Sequence, residues 1–222
     1  MPRDAQSKYI PALRFRWLTP LYDAVVRLTT RERAFKSALI QNLNLADGTR
    51  VLDIGCGTGT LTLWIKRRQP GAAAFGLDGD RQALSIAIAK ARAQSLDVRF
   101  TTGLSFSLPY SDGSFDCVVS SLFFHHLASN DKLRTAREIL RVLKPGGELH
   151  VADWGRPSNA VLRAAFWLVQ VLDGFANTQD NVEGKLPRLF ADAGFDVISI
   201  TREFDTSLGT IALLRASKPG GR

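Results

Sequence analysis

The segment Val51-Leu52-Asp53-Ile54-Gly55-Cys56-Gly57-Thr58-Gly59 constrains this chain more than any other. It combines an apolar run, a carboxylate and three glycines at alternate positions, and a helical pattern follows from Leu61 to Arg68. Such an apolar run has the character of a strand buried on both faces in a parallel sheet. Glycines directly after it let the backbone turn tightly and approach a ligand with no side chain in the way. The helix that follows would aim its free N–H groups and positive dipole end at that ligand.

The remainder of the chain keeps the alternation that this unit demands. Arg50 to Ile54 is the first strand, and Gln69-Pro70-Gly71 ends the helix before a second strand at Ala73 to Leu77. A helix at Asp80 to Gln94 leads to a third strand at Asp97 to Thr101, and Phe115 to Ser120 is the fourth. The helix Lys132 to Val142 stops at Lys144-Pro145-Gly146-Gly147, ahead of a fifth strand at Glu148 to Ala152. This order predicts a parallel sheet with helices on both faces. Val161 to Leu172 and Val182 to Ala193 read as helices, the second closing on Gly194. The last two strands, Asp196 to Thr201 and Gly209 to Ala216, lie too close for a helical crossover, so they pair antiparallel or not at all. At 222 residues the chain suits one large α/β domain.

The formal charge of +8 is unevenly placed. Residues 1–36 hold eight Lys/Arg against Asp4, Asp23 and Glu32, with Phe15, Trp17, Leu18, Leu21 and Tyr22 interleaved. A solvated helical face, an amphipathic lid and peripheral contact with a membrane surface all follow from that pattern. Residues 1–40 are accordingly set apart as a basic helical lid segment, and 41–218 as the main domain with a lid insertion at about 153–186. No eighteen-residue apolar run is present and the N-terminus lacks a secretory pattern, so a cytoplasmic location is expected, with membrane association at the surface as its variant. Cys56 and Cys117 fall in different elements and are expected to be reduced thiols; Cys56 has no neighbouring base that would make it a nucleophile.

The glycine spacing separates two kinds of nucleotide site. A dinucleotide fingerprint would place its third glycine at position 60, which is Thr60; the third glycine here is Gly59. D-x-G-x-G-x-G from Asp53 to Gly59 resembles motif I of the class I S-adenosylmethionine-dependent methyltransferases. Three further blocks resemble the ubiquinone/menaquinone group of that family: Gly103-Leu104-Ser105-Phe106-Ser107-Leu108-Pro109-Tyr110, Ser114 to Leu127 with Ser120, Ser121, His125 and His126, and Leu140-Arg141-Val142-Leu143-Lys144-Pro145-Gly146-Gly147. The resemblance implies a Rossmann-like α/β fold, a mostly parallel seven-stranded sheet finished by an antiparallel hairpin. It also implies S-adenosyl-L-methionine as cofactor and S-adenosyl-L-homocysteine as product.

Ligands of doubly wound sheets sit beyond the carboxyl ends of the strands. Asp78, after the second strand, is placed to accept the ribose hydroxyls, with Gly79 beside it and Asp80 serving as the next helix's N-cap. The resemblance gives Asp53, Gly55, Cys56, Gly57 and Gly59 to the methionine end and Tyr22 to a cover over the cofactor. Where the family carries an aspartate against adenine this chain has Leu104, so adenine recognition falls to backbone around Leu104 and Ser105. Ser120 and Ser121 end the fourth strand at the cofactor.

Methyl transfer from a sulfonium is an in-line displacement that rests mainly on positioning. If the acceptor must lose a proton, His126, and after it His125, are the candidate bases. No metal site is expected, because adjacent side chains on a helix diverge and no Cys or carboxylate lies at ligand spacing. The acceptor is expected to be a small or lipid-like molecule. A nucleic-acid methyltransferase and a non-catalytic cofactor-binding protein are the alternatives; against the first, Ser120-Ser121-Leu122-Phe123 stands where base methylases carry an N-P-P-Y type of tetrad.

Overall fold

The computed structural model describes residues 30–220. Strands β1 (Arg50–Ile54), β2 (Ala73–Asp78), β3 (Val98–Thr102), β4 (Phe115–Ser121), β5 (Leu143–Trp154), β6 (Asp196–Asp205) and β7 (Thr210–Ser217) form one sheet in the order β3-β2-β1-β4-β5-β7-β6. The first five are parallel, and β7 runs antiparallel to both β5 and β6. Among the described residues the helices are α1 (Glu32–Gln41), α2 (Thr60–Arg68), α3 (Arg81–Ala93), α4 (Ser129–Val142), α5 (Ala160–Asp173), α6 (Phe175–Val182) and α7 (Leu186–Ala193), with a 3-10 turn at Phe124–His126.

The two-residue period of the strands divides the core between the faces of the sheet. Leu52, Ile54, Val118, Leu149, Val151 and Leu214 point to one face, where Ile139 and Val142 of α4 and Phe190 of α7 close over them. Val51, Val119, Trp154, Ile211 and Leu213 point to the other, against Phe35 and Leu39 of α1, Leu61 and Ile65 of α2, and Phe166 of α5. The alternation decides where two carboxylates go. Asp53 shares the face of Val51 and lies beneath the first turn of α2; Asp153 shares the face of Val151.

Two expectations are corrected. Lys144-Pro145-Gly146-Gly147 does not precede the fifth strand but forms a bulge within it. Phe115 pairs with Leu143 and Cys117 with Glu148, so the extra length of β5 loops out, turning at Gly146 with φ 73°. The helix expected over Val182 to Ala193 is two helices, α6 and α7, broken at Gly184 (φ 69°) with Pro187 in the first turn of α7. Proline cannot donate the hydrogen bond that a continuous helix would need there. In the described end of the basic N-terminal segment, α1 packs over β5 and β7, and its Lys36 is buried against Glu32 at 2.6 Å.

Candidate active site

Gly55, Gly57 and Gly59 take φ values of 67°, 52° and 78°, a region that L side chains rarely enter. Gly55 and Cys56 donate their N–H groups to the Leu77 carbonyl at 2.8 and 3.1 Å, which folds the turn over the end of β2. A Cβ at Gly55 would stand 2.2 Å from the Phe123 ring, so the turn and the segment after β4 touch directly. Asp78 faces this turn. Its Oδ2 accepts from Gly57 N–H at 2.8 Å and its Oδ1 from Asp80 N–H at 2.8 Å. Asp80 looks the other way and caps α3, accepting from Gln82 and Ala83 N–H. The two neighbouring carboxylates are thus divided between glycine turn and helix cap. Burial raises Asp78 above the ordinary carboxylate range, against the two N–H bonds that lower it.

Asp53 is the second buried carboxylate of the turn. Thr62 Oγ1 donates to its Oδ2 at 2.6 Å, while Oδ1 is buried with no hydrogen-bond partner. Burial, partly offset by the Thr62 bond, pushes its pKa up to about 7. An unpartnered buried acceptor is costly, and an ammonium group beside it would supply the missing partner. This fits the amino end of S-adenosylmethionine. It also gives a pH dependence. Below pH 7 the free Asp53 carries a proton that an ammonium must displace, so cofactor affinity should rise as pH climbs through about 7. Asp53→Asn, titrated by calorimetry across the same range, is expected to flatten that rise; an unchanged profile would detach Asp53 from the cofactor.

The other expected residues divide by what their side chains already do. Ser120 Oγ donates to the Ile54 carbonyl at 2.9 Å and ties β4 to β1, so its hydroxyl is spent inside the sheet. Ser105 Oγ is bonded to Thr135 Oγ1 of α4 at 2.8 Å, leaving only backbone to face a ligand. Leu104 is 39% exposed just beyond β3, and the preceding Gly103 N–H is held by the Asp78 carbonyl at 3.0 Å, which ties the ends of β2 and β3 together. Ser121 ends β4, half-buried. Cys56 is buried, and burial followed by the Asp53 and Asp78 charges pushes its thiol well above the ordinary range, which removes it as a nucleophile. Gly79 bridges Asp78 and Asp80, and Tyr22 lies outside the described residues.

The histidine pair departs from expectation. It sits on a 3-10 turn, and the rings do not diverge: their centroids are 4.0 Å apart. A carboxylate absent from the local sequence arrives from the end of α5. Asp173 lies 3.7 Å from His125 Nε2 and 3.9 Å from His126 Nδ1, so the two histidines and Asp173 converge as a set of possible metal-ligand types. His125 Nδ1 is fixed by Asp153 Oδ1 at 2.7 Å. Burial would lower His125, but the charge and hydrogen bond of Asp153, with the Asp173 charge, outweigh it and raise its pKa. Burial and then the His125 charge push His126 well below the ordinary range, and its Nε2 has no partner.

Asp153 organises this corner. Its Oδ2 accepts from the N–H groups of Phe123 and Phe124 at 3.0 and 2.7 Å. Its Oδ1 accepts from Trp154 N–H and Asn181 Nδ2 as well as from His125. The rule that singles out residues at the carboxyl ends of strands applies to it too. Placing the end of the fifth strand at Ala152 hid this residue, because β5 runs on to Trp154.

A sheet in this order, a glycine turn after β1 and a carboxylate after β2 define a class I methyltransferase. Residues 51–147 match a family model described as a methyltransferase domain. Over 162 residues the chain is 37% identical to the demethylmenaquinone methyltransferase of Thermus thermophilus, covering 70% of this chain and 69% of that protein. Over 156 residues it is 33% identical to the demethylmenaquinone methyltransferase of Deinococcus radiodurans, covering 69% of this chain and 64% of that one. The chain therefore spans about two thirds of these relatives' length. Among solved structures, the YcgJ protein from Bacillus subtilis matches the fold with a TM-score of 0.71 at 19% identity, over 84% of this chain and 98% of that one. The chain belongs to the S-adenosylmethionine-dependent methyltransferases, in their ubiquinone/menaquinone group, and S-adenosylmethionine is its cofactor.

Proposed function

We propose that the chain methylates an apolar, lipid-like acceptor, with His125 taking up the proton that the acceptor gives up. The cofactor supplies an electrophilic methyl group; the sulfonium sulfur keeps the bonding pair as the methyl passes to the acceptor. In this reading Asp53 receives the amino end of the cofactor, Asp78 the ribose hydroxyls, and the backbone at Leu104 and Ser105 the adenine. Gly55, Gly57 and Gly59 keep side chains out of its path, and residues 153–186 serve as the lid.

The observation that carries the proposal is the buried His125–Asp153 pair at 2.7 Å. A base needs a partner that fixes its tautomer and orientation; His125 has Asp153 at 2.7 Å, whereas the carboxylate nearest His126, Asp173, stands 3.9 Å from its Nδ1. The order of the two candidates is therefore reversed from the sequence expectation. The apolar character of α5 supports an apolar acceptor, and the relatives' name puts demethylmenaquinone, in its reduced form, first among candidates.

The test is transfer of labelled methyl from S-adenosylmethionine to demethylmenaquinol in detergent, with phosphoethanolamine as the polar comparison. His125→Asn retains a donor toward Asp153 and is expected to lower turnover about 100-fold while leaving cofactor affinity unchanged. Wild-type turnover in that variant would remove the proton-transfer role, and methylation of the polar acceptor alone would overturn the apolar one.

A further inference from the structure

α5 is apolar on its outer side as well as its inner one. Phe166 and Val169 are buried in the core, but Val161, Trp167, Leu168, Val171 and Leu172 are 55–77% exposed, and Phe175 at the start of α6 is 46% exposed. Positions 161, 168 and 172 recur at helical spacing along α5, so these side chains form a stripe and not a scatter. The Trp167 and Phe175 rings meet edge to face at 5.9 Å, which holds an aromatic pair out from the surface. The charged residues of α5 do not break the stripe. Asp173 turns inward to the histidines, and Arg163 donates to Gln170 Oε1 at 2.9 Å. A contiguous exposed apolar face of this kind marks an interaction surface.

Beside the stripe, at the first turn of α5, Arg156 and Arg163 outnumber the single carboxylate Glu183 along an open groove of about 510 Å³. The basic N-terminal segment joins the described fold close by: Arg31 Nη1 donates to the Asp205 carbonyl at 3.3 Å, and Ser158, two residues before α5, donates to the Asp205 carboxylate at 2.9 and 3.0 Å. Residues 1–31 carry Arg3, Lys8, Arg14, Arg16, Arg27 and Arg31 against Asp4 and Asp23. A second copy of this +8 chain, or its own basic segment, would bring further positive charge against Arg156 and Arg163. An anionic lipid surface brings the opposite charge to the arginines and an apolar phase to the stripe.

We infer that the outer face of α5, with Trp167, Leu168, Val171 and Leu172 at its centre, is a docking surface for an anionic membrane. The side chains enter the boundary between headgroups and acyl chains, and the flanking arginines hold the headgroups. The inference rests on the surface alone and not on the identity of the acceptor.

The full chain is tested by co-sedimentation with vesicles of phosphatidylcholine, alone or with about one third phosphatidylglycerol, and no methyl acceptor present. Binding to the mixed vesicles is expected to exceed binding to the neutral ones about tenfold, and the double variant Leu168→Glu, Leu172→Glu to lose about tenfold or more. Both substitutions are at exposed positions, so the variant should keep the wild-type melting temperature. Brominated acyl chains in the bilayer are expected to quench Trp167, read as the difference between wild type and Trp167→Phe. Absence of co-sedimentation, full binding by the double variant, or vesicle binding with Trp167 unquenched would each overturn the proposal. So would a lipid-free dimer that the double variant dissociates, if the wild type ignores vesicles.

Discussion

Asp153→Ala is expected to lower the free energy of unfolding by about 3–5 kcal/mol, the range for removing one partner of a buried ion pair. The size follows from what the carboxylate holds. Asp153 is fully buried and accepts from Phe123, Phe124 and Trp154 N–H, from His125 Nδ1 and from Asn181 Nδ2. Alanine leaves these donors buried without an acceptor, and it leaves the His125 imidazole without the charge that holds its pKa up. Asp153→Asn keeps the shape but turns an N–H₂ group toward donors, and should cost about 1–3 kcal/mol. Urea unfolding of the three proteins measures both. A loss under about 1 kcal/mol for alanine would mean that the corner repacks, and that Asp153 does not fix the position of the histidines.

The sheet was legible in the sequence because its strands and helices alternate in pattern and are punctuated by glycine and proline. Val51 to Ile54, the Gln69-Pro70-Gly71 break and the short link before the last strand each state a local geometry. The positions of the glycine turn and of Asp78 were legible for the same reason: each is set relative to a strand end. Asp173 was not, since its place beside the histidines is set by the length and angle of α5, which bring together residues nearly fifty positions apart. The convergence of His125 and His126 was hidden because helical spacing predicts divergence, whereas a short 3-10 turn packed against α6 and β5 does not obey it. The hydroxyls of Ser120 and Ser105 bond within the fold, to the Ile54 carbonyl and to Thr135, and no sequence pattern distinguishes a hydroxyl aimed at a ligand from one aimed at a neighbouring strand or helix.

The second large effect is expected at Asp78. Its two oxygens anchor the Gly57 and Asp80 N–H groups, so the carboxylate shapes the glycine turn, and in the proposed reading it also accepts the ribose hydroxyls. Asp78→Ala removes a charge-assisted acceptor and should weaken S-adenosylmethionine binding by about 1.5–3 kcal/mol, roughly ten- to a hundredfold. Asp80 provides the internal comparison: it is two residues away and carries the same charge, yet its Oδ1 caps α3. Asp80→Ala should cost about 1 kcal/mol of stability and leave binding almost unchanged.

Paired calorimetric titrations of wild type, Asp78→Ala and Asp80→Ala with S-adenosylmethionine and S-adenosylhomocysteine therefore test the assigned site most directly. The expected result is one cofactor per chain in the wild type, a ten- to hundredfold weaker constant in Asp78→Ala for both ligands, and a near wild-type constant in Asp80→Ala. No binding of either ligand by the wild type at about millimolar concentration, or full affinity in Asp78→Ala, would contradict it.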